Sequence, residues 1–179
     1  MAESKCIYLV VSGASAVRNI PDLIRALAEF GLPIYTFVTE GARNVISPYN
    51  LADQEGHRLI DSYYDPVLLN GRQPGLTLVA PATFNTLNKI SQGIADTLAH
   101  SLVAEAIGAG WPVIVVPAMN PPLANHPQVA LSLKTLQRWG IIVLEPHLHG
   151  DTLMMVSNEA ILQRARAVLH RPNTERVDE

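Results

Sequence analysis

The chain lacks the features that mark disulfide-bonded, membrane-spanning and nucleic-acid-binding proteins. Among its 179 residues is a single cysteine, Cys6, which excludes an intramolecular disulfide and a cysteine-based zinc site. Thirteen basic residues against sixteen acidic ones give a net charge of -3, so there is no basic excess to bind nucleic-acid phosphates. No apolar run reaches the roughly eighteen residues that span a bilayer. We therefore expect a soluble, cytoplasmic protein without a nucleic-acid or membrane partner.

Apolar residues, by contrast, are abundant. They make up 48% of the chain, and only 16% of residues are charged, a balance that suits one well-buried core at this length. No internal repeat, low-complexity tract or linker divides the sequence. We predict a single domain over residues 1–172, followed by a polar tail at residues 173–179.

Short apolar runs alternate with segments of helical periodicity. The runs predict strands at residues 6–11, 33–38, 76–80, 113–116 and 141–144. Helices are predicted after Asn19, over residues 86–91, from an Asp96 N-cap to about residue 109, and over residues 128–139 and 158–169. This alternation predicts an α/β fold with a parallel, doubly wound sheet. Residues 47–75 have no strong period, which is uncommon for a connection without a function.

Small and polar residues follow the predicted strands at the edge where parallel sheets bind ligands. They are Ser12, Gly13 and Ser15 after the first strand, Thr39 after the second, Thr83, Asn85 and Thr86 after the third, and Met119 and Asn120 after the fourth. The first group suits either a tight turn or an anion site, and Thr39 suits a helix cap or a ligand contact. An Asn amide can bind a carboxylate without carrying charge, whereas Met119 alone fits core packing.

Several common sites are disfavoured by their missing motifs. The turn after the first strand is neither GxGxxG nor a P-loop, which disfavours a dinucleotide or Walker site. No G-x-S-x-G elbow supports a serine hydrolase. His147 and His149 lack an evident third ligand nearby, so we predict no metal site.

Three segments, taken together, carry a family resemblance. They are SGASA after the first strand, APATFNTLNKISQGIADTLA after the third and PAMNPPLANHPQVALSLKTLQRWG after the fourth. In this order they resemble the homo-oligomeric flavin-containing cysteine decarboxylases, whose Pro-Ala-Ser-Ala-Asn-Thr motif with a trailing Gly-Ile-Ala-Asp is close to the second segment. Prenyltransferase relatives share the first turn but lack the Pro-x-Met-Asn segment.

The resemblance implies a fold, a cofactor and residue roles. The fold would be a Rossmann-like, flavodoxin-type three-layer α/β/α arrangement, and the cofactor would be FMN at an interface of a homo-oligomer, either a trimer or a dodecamer. Ser12, Gly13 and Ser15 would surround the phosphate, with Thr39 nearby; Thr83, Asn85 and Thr86 would contact the flavin, Met119 would line its ring, and Asn120 would hold the substrate carboxylate. In this chemistry the flavin oxidises the cysteine side chain and the resulting thioaldehyde loses CO2, leaving an enethiolate.

The chain departs from the family pattern at three places. The family's catalytic histidine corresponds to Val67, which leaves the base unassigned; His57, if the loop is rearranged, and Asp65 are the nearest polar candidates. The family's Met-Trp after the Asn is Leu123-Ala124, which implies an altered substrate clamp. Residues 147–156 lack the cysteine with which coenzyme A-pathway members return electrons to the product.

These departures rank three functions. The first is oxidative decarboxylation of the C-terminal cysteine of a precursor peptide to an enethiol, in natural-product biosynthesis. The second is phosphopantothenoylcysteine decarboxylation, and the third is a catalytically silent FMN-binding subunit. Bound FMN that no cysteine substrate reduces would favour the third.

Overall fold

A computed structural model describes residues 5–47, 49–52, 56–71, 73–149 and 152–170. The predicted polar tail at residues 173–179 lies outside the described residues. None of the helices in the part described is long and apolar enough to cross a membrane.

The core of the fold is a parallel sheet of six strands in the order β3-β2-β1-β4-β5-β6. The strands are β1 Cys6–Val11, β2 Ile34–Val38, β3 His57–Leu59, β4 Pro74–Ala82, β5 Val113–Pro117 and β6 Ile142–Val143. Strands β1, β2 and β5 are buried along their whole length, as expected of strands covered on both faces. The predicted parallel α/β sheet is confirmed.

Strand β3 is the member of the sheet that the sequence did not reveal. The five predicted strands alone would have the flavodoxin order 2-1-3-4-5, and β3 extends the sheet beyond β2, pairing Ile34 with His57 and Thr36 with Leu59. It has only three residues, two of them His57 and Arg58, so it carries no apolar run that a sequence pattern could detect.

Helices cover both faces of the sheet and form two cores. Their bounds are α1 Ile20–Leu27, α2 Glu40–Arg43, α3 Tyr49–Ala52, α4 Pro66–Leu69, α5 Phe84–Ser91, α6 Leu98–Gly108, α7 Pro121–Ala124, α8 Pro127–Arg138 and α9 Asn158–Leu169, with 3₁₀ turns at Ser15–Asn19 and Ala28–Phe30. Helices α1 and α9 pack on one face, while α5, α6 and α8 pack on the other. The predicted three-layer arrangement is therefore confirmed.

Two details differ from the sequence-based prediction. The sixth helix begins at Leu98 with Thr97 as its N-cap, so the prediction that Asp96 is the cap was wrong; the Asp96 carboxylate instead pairs with Lys89 at 2.7 Å. An unpredicted antiparallel hairpin, β7 His147–His149 and β8 Thr152–Met154, precedes α9. Its backbone lies beside α7, which follows β5.

Candidate functional site

A cleft of about 1370 Å³ lies at the carboxyl edge of the sheet. Its walls are the turn after β1, the start of α2, the N-terminal parts of α5 and α6, the β5–α7 turn and the segment leading into α9. The sheet order reverses between β1 and β4, and such a switch point is where open α/β sheets bind ligands. The fold thus places one large concave site where the sequence pattern predicted it.

Most of the predicted site residues line this one cleft. They are Gly13, Ser15, Thr39, Thr83, Asn85, Thr86, Met119 and Asn120. The structure therefore brings together residues from four separate turns, although their individual roles toward FMN and substrate stay predictions. Two predicted residues, Ser12 and His57, are absent from the lining.

Ser12 lies beneath the cleft and connects two strands. It is buried; its hydroxyl donates to the Pro81 carbonyl at 2.7 Å and accepts from the Thr83 backbone N–H at 2.9 Å. With one partner at the end of β4 and the other in the turn that follows, this hydroxyl positions the turn rather than facing the cleft. The structure thus does not bring the Ser12 side chain to the place predicted for the phosphate.

Gly13 is required by a close approach between two turns. A Cβ at this position would lie 2.3 Å from the Gly41 carbonyl oxygen and 2.9 Å from the Ala42 nitrogen, distances at which backbone atoms must shift. Only glycine lets the β1 turn sit directly against the start of α2. This contact brings Ser15 and Thr39 to the same end of the cleft.

The side chains after three strands serve as helix N-caps. Thr39 accepts from the Ala42 N–H, and Thr83 accepts from the Thr86 N–H, each at 3.4 Å. The capping interpretation of Thr39 is confirmed. Helices α5, α6 and α9 all begin at the cleft, so their dipoles favour negative charge there.

Asn120 is an N-cap whose side chain has a second polar group, the amide nitrogen, that the cap does not use. Its Oδ1 accepts from the Leu123 N–H at 3.1 Å, which orients the amide and leaves Nδ2 as the group that can donate. The residue is exposed within the cleft lining, next to Met119. A neutral amide donor that is held in this way can bind a carboxylate although it carries no positive charge.

His57 is placed away from the cleft. It pairs with Ile34 at the amino end of β2, and its Nε2 lies 2.7 Å from the buried Thr36 hydroxyl. Burial lowers the pKa of His57 below 6.5. The structure does not bring His57 to the residues predicted to contact flavin and substrate.

The other polar residues of the same segment also have structural partners. The Asp65 carboxylate caps α4 by accepting from the Val67 N–H at 2.9 Å, and it pairs with Arg58 at 2.6 Å. Val67, at the position of the family histidine, packs against the core on the α5 side. No described residue of this segment lines the cleft.

The sequence reasoning missed His100 as a residue of the cleft. His100 is 5% exposed and lines the cleft with Lys89 and Thr97. Its Nδ1 lies 2.8 Å from the Thr97 hydroxyl and 3.4 Å from the Asp96 carboxylate, whereas its Nε2 is buried without a partner. The missed signal was the cap, because a helix starting after Thr97 places His100 in its first turn, at the cleft.

The lining residues fit a flavin mononucleotide. The cleft is large and open, the backbones of Gly13 and Gly41 approach each other closely in its lining with no side chain between them, and the unpartnered His100 Nε2 offers a polar contact. No cluster of three metal-ligating side chains occurs among the described residues.

Comparison with known proteins finds a family and several relatives of this chain. The flavoprotein family matches residues 1–170. The coenzyme A biosynthesis bifunctional protein CoaBC of Thermococcus kodakarensis is 31% identical over 172 residues, covering 93% of this chain and 42% of that protein. A probable phosphopantothenoylcysteine decarboxylase of Streptococcus mutans is 29% identical over 150 residues, covering 80% of this chain and 83% of the relative. The chain thus spans less than half of the bifunctional relative.

Solved structures show the same fold. The FMN-dependent cysteine decarboxylase SpaF superposes with a TM-score of 0.76 at 23% identity, covering 93% of this chain and 98% of that one. At this identity the likeness establishes the fold alone.

Proposed function

Because the chain belongs to the flavoprotein family, we propose that it is an FMN-dependent decarboxylase that converts the C-terminal cysteine of a precursor peptide to an enethiol, in ribosomal peptide natural-product biosynthesis. The observation that carries the proposal is Asn120, whose amide is fixed at the cleft wall with Nδ2 available for a carboxylate. The family and its FMN-dependent neighbour support FMN as the cofactor.

The cofactor would lie along the cleft. The backbone at Gly13 and Ser15, with Thr39, would hold the phosphate; Thr83, Asn85 and Thr86 would contact the flavin, and Met119 would line the ring. When bound, FMN supplies a two-electron oxidant for the cysteine side chain. The chain itself supplies binding and orientation.

Asn120 would hold the carboxylate that leaves. In the oxidised substrate the terminal cysteine is a thioaldehyde; its Cα–carboxyl bond breaks, CO2 departs, and the electron pair forms a Cα–Cβ double bond as the C=S pair moves to sulfur. The product is an enethiolate. A neutral amide suits this step because it orients the carboxylate without adding a positive charge that would oppose its loss as CO2.

A second candidate substrate is phosphopantothenoylcysteine. The similarity to the Streptococcus mutans relative, which extends over 83% of that protein, favours it. The absence of cysteine from residues 147–156 opposes it, since no thiol in that stretch can assist return of electrons to the product. We expect either substrate to stop at the oxidised, enethiol stage in this chain.

Self-association is part of the same proposal. The cleft is open, and Leu123 on its wall is 39% exposed in the single chain. A trimer, or a dodecamer built from trimers, would cover the flavin ring with a neighbouring subunit. Light scattering on the FMN-loaded protein tests this; a monomer at working concentration would refute it.

The deciding experiment uses the FMN-loaded protein with cysteine-ended peptides and with phosphopantothenoylcysteine. We expect mass spectrometry to show a peptide that has lost CO2 and two hydrogens. Matched peptides ending in serine should stay unchanged. The same loss of CO2 and two hydrogens from phosphopantothenoylcysteine, with the peptides unchanged, would establish the second candidate, and bound FMN that no cysteine compound reduces would refute both.

A further inference from the structure

His100 carries an atom that the fold itself leaves unsatisfied. The side chain is 5% exposed, and its Nε2 is buried without a hydrogen-bond partner, although the residue lines the cleft. Buried polar atoms in native proteins almost always have a partner, so such an atom at the wall of a binding cleft points to a ligand group.

The surroundings of the ring determine what Nε2 can bind. Nδ1 lies 2.8 Å from the Thr97 hydroxyl and 3.4 Å from the Asp96 carboxylate, which favours the proton on Nδ1. Burial, and then the nearby Lys89 ammonium, lower the pKa of His100 below 6.5, while Asp96 opposes them. The ring is therefore neutral near pH 7, and Nε2 is a hydrogen-bond acceptor.

Because the His100 Nε2 is a hydrogen-bond acceptor, it can bind only a part of FMN that offers a hydrogen-bond donor. Phosphate oxygens are acceptors themselves, and the polar edge of the flavin ring is mostly acceptors as well. The ribityl chain, in contrast, offers several hydroxyl donors. His100 lines the same cleft as Thr39 and Thr86, and Thr97 and Thr39 both line a second cavity of about 80 Å³ as well.

We infer that the His100 Nε2 accepts a hydrogen bond from a ribityl hydroxyl of bound FMN, with Asp96 and Thr97 holding the ring in the required tautomer. This inference rests on the FMN-binding part of the proposed function and not on the substrate.

The test compares the affinities of the full-length chain for FMN and for riboflavin, which has the ribityl chain but no phosphate. We expect His100→Leu to weaken both by about tenfold, the usual value of one net hydrogen bond, with their ratio unchanged. His100→Gln keeps an amide acceptor and should stay within about threefold. The exposed His170→Leu is the matched control and should change neither affinity.

Other patterns would overturn the inference. Weakening of FMN alone would assign His100 to the phosphate, and a changed visible spectrum of the bound flavin would assign it to the ring. Equal affinities in all variants would mean that His100 makes no contact.

A pH profile with riboflavin keeps the test valid if His100→Leu fails to fold. Protonation removes the Nε2 lone pair, so riboflavin affinity should fall as pH drops below the His100 pKa, while the pKa of Asp96, lowered first by its hydrogen bond to Lys89, keeps that carboxylate charged. In His100→Gln the profile should be flat, and an equally flat profile in the unaltered chain would overturn the inference. A chain that binds flavin but leaves cysteine peptides untouched would refute the proposed function only.

Discussion

The turns at the carboxyl edge of the sheet and the segment 56–71 at its outer edge use polar residues in opposite ways. At the carboxyl edge, Thr83 and Asn120 cap helices and still line the cleft. In the outer segment, Asp65 is bonded to Arg58 and to a helix start, and His57 to a buried threonine, all outside the cleft.

The difference shows what makes a polar side chain available to a ligand. A cap uses one acceptor, and the strand end fixes its direction toward the space above the sheet. Asn120 therefore keeps its amide donor at the cleft wall. In the outer segment the same residue types stabilise a three-residue strand and a four-residue helix.

Among the variants of the cleft and the outer segment, we expect Asn120→Asp in the cleft to have the largest effect, on turnover. Aspartate is also a good N-cap, so the turn should persist, but its charge opposes the substrate carboxylate. We expect turnover of a cysteine-ended peptide to fall at least about a hundredfold with FMN still bound. Asn120→Ser keeps the cap without the charge and should lose less; equal turnover in Asn120→Asp and the unaltered chain would refute the assigned role.

Gly13→Ala tests the contact that shapes the phosphate end. The new Cβ would meet the Gly41 carbonyl carbon at 2.4 Å, and we expect a loss of about 1–3 kcal/mol in the free energy of unfolding, together with weaker FMN binding. Urea unfolding and flavin titration measure both. Gly108→Ala, where nothing lies within 4 Å, is the control and should be neutral or stabilising. Equal stability of the two variants would contradict the close approach.

Asn85→Leu tests whether a second exposed polar residue of the cleft contributes to FMN binding. Asn85 is exposed in the cleft lining at the start of α5, so the substitution removes a polar contact without disturbing the core. FMN affinity should fall about tenfold, as measured by fluorescence titration. Gln92→Leu, exposed at the other end of the same helix, provides the comparison. A fully loaded Asn85→Leu variant would count against the placement.

The smallest effect is expected from His57→Gln in the outer segment. Burial lowers the His57 pKa in the folded chain, so the unfolded chain binds more protons near pH 6 and stability falls as pH drops below about 6.5. The variant should weaken this acid dependence in unfolding at pH 5.5 and 7.5, leaving the part due to His100. Turnover should remain near that of the unaltered chain; a large loss would restore His57 as a catalytic residue.

Prediction from the sequence succeeded where the signal lies within one short segment of the chain. Strand β1 was predicted with its observed bounds, because a continuous apolar run needs no partner to be recognised. The residues after β4 and β5 were predicted at the cleft, since parallel strands end at one edge.

Prediction from the sequence failed where the role of a residue depends on a contact with a distant part of the chain. Asp96 looked like a helix cap, but Lys89, seven residues earlier in α5, binds its carboxylate, and the cap is Thr97. No sequence motif marked His100 as a site residue, and only the fold places it at the cleft.

The sequence by itself determined the α/β class, the family and the set of turns that carry the site, because apolar periodicity and strand-end motifs are local properties. Only the tertiary structure decided which polar atoms remain available. That depends on contacts between distant segments: Gly41 against Gly13, Thr83 over Ser12, and Thr36 beside His57. Such contacts consume some hydrogen-bonding groups and leave others, such as the Asn120 amide and the His100 Nε2, for a ligand.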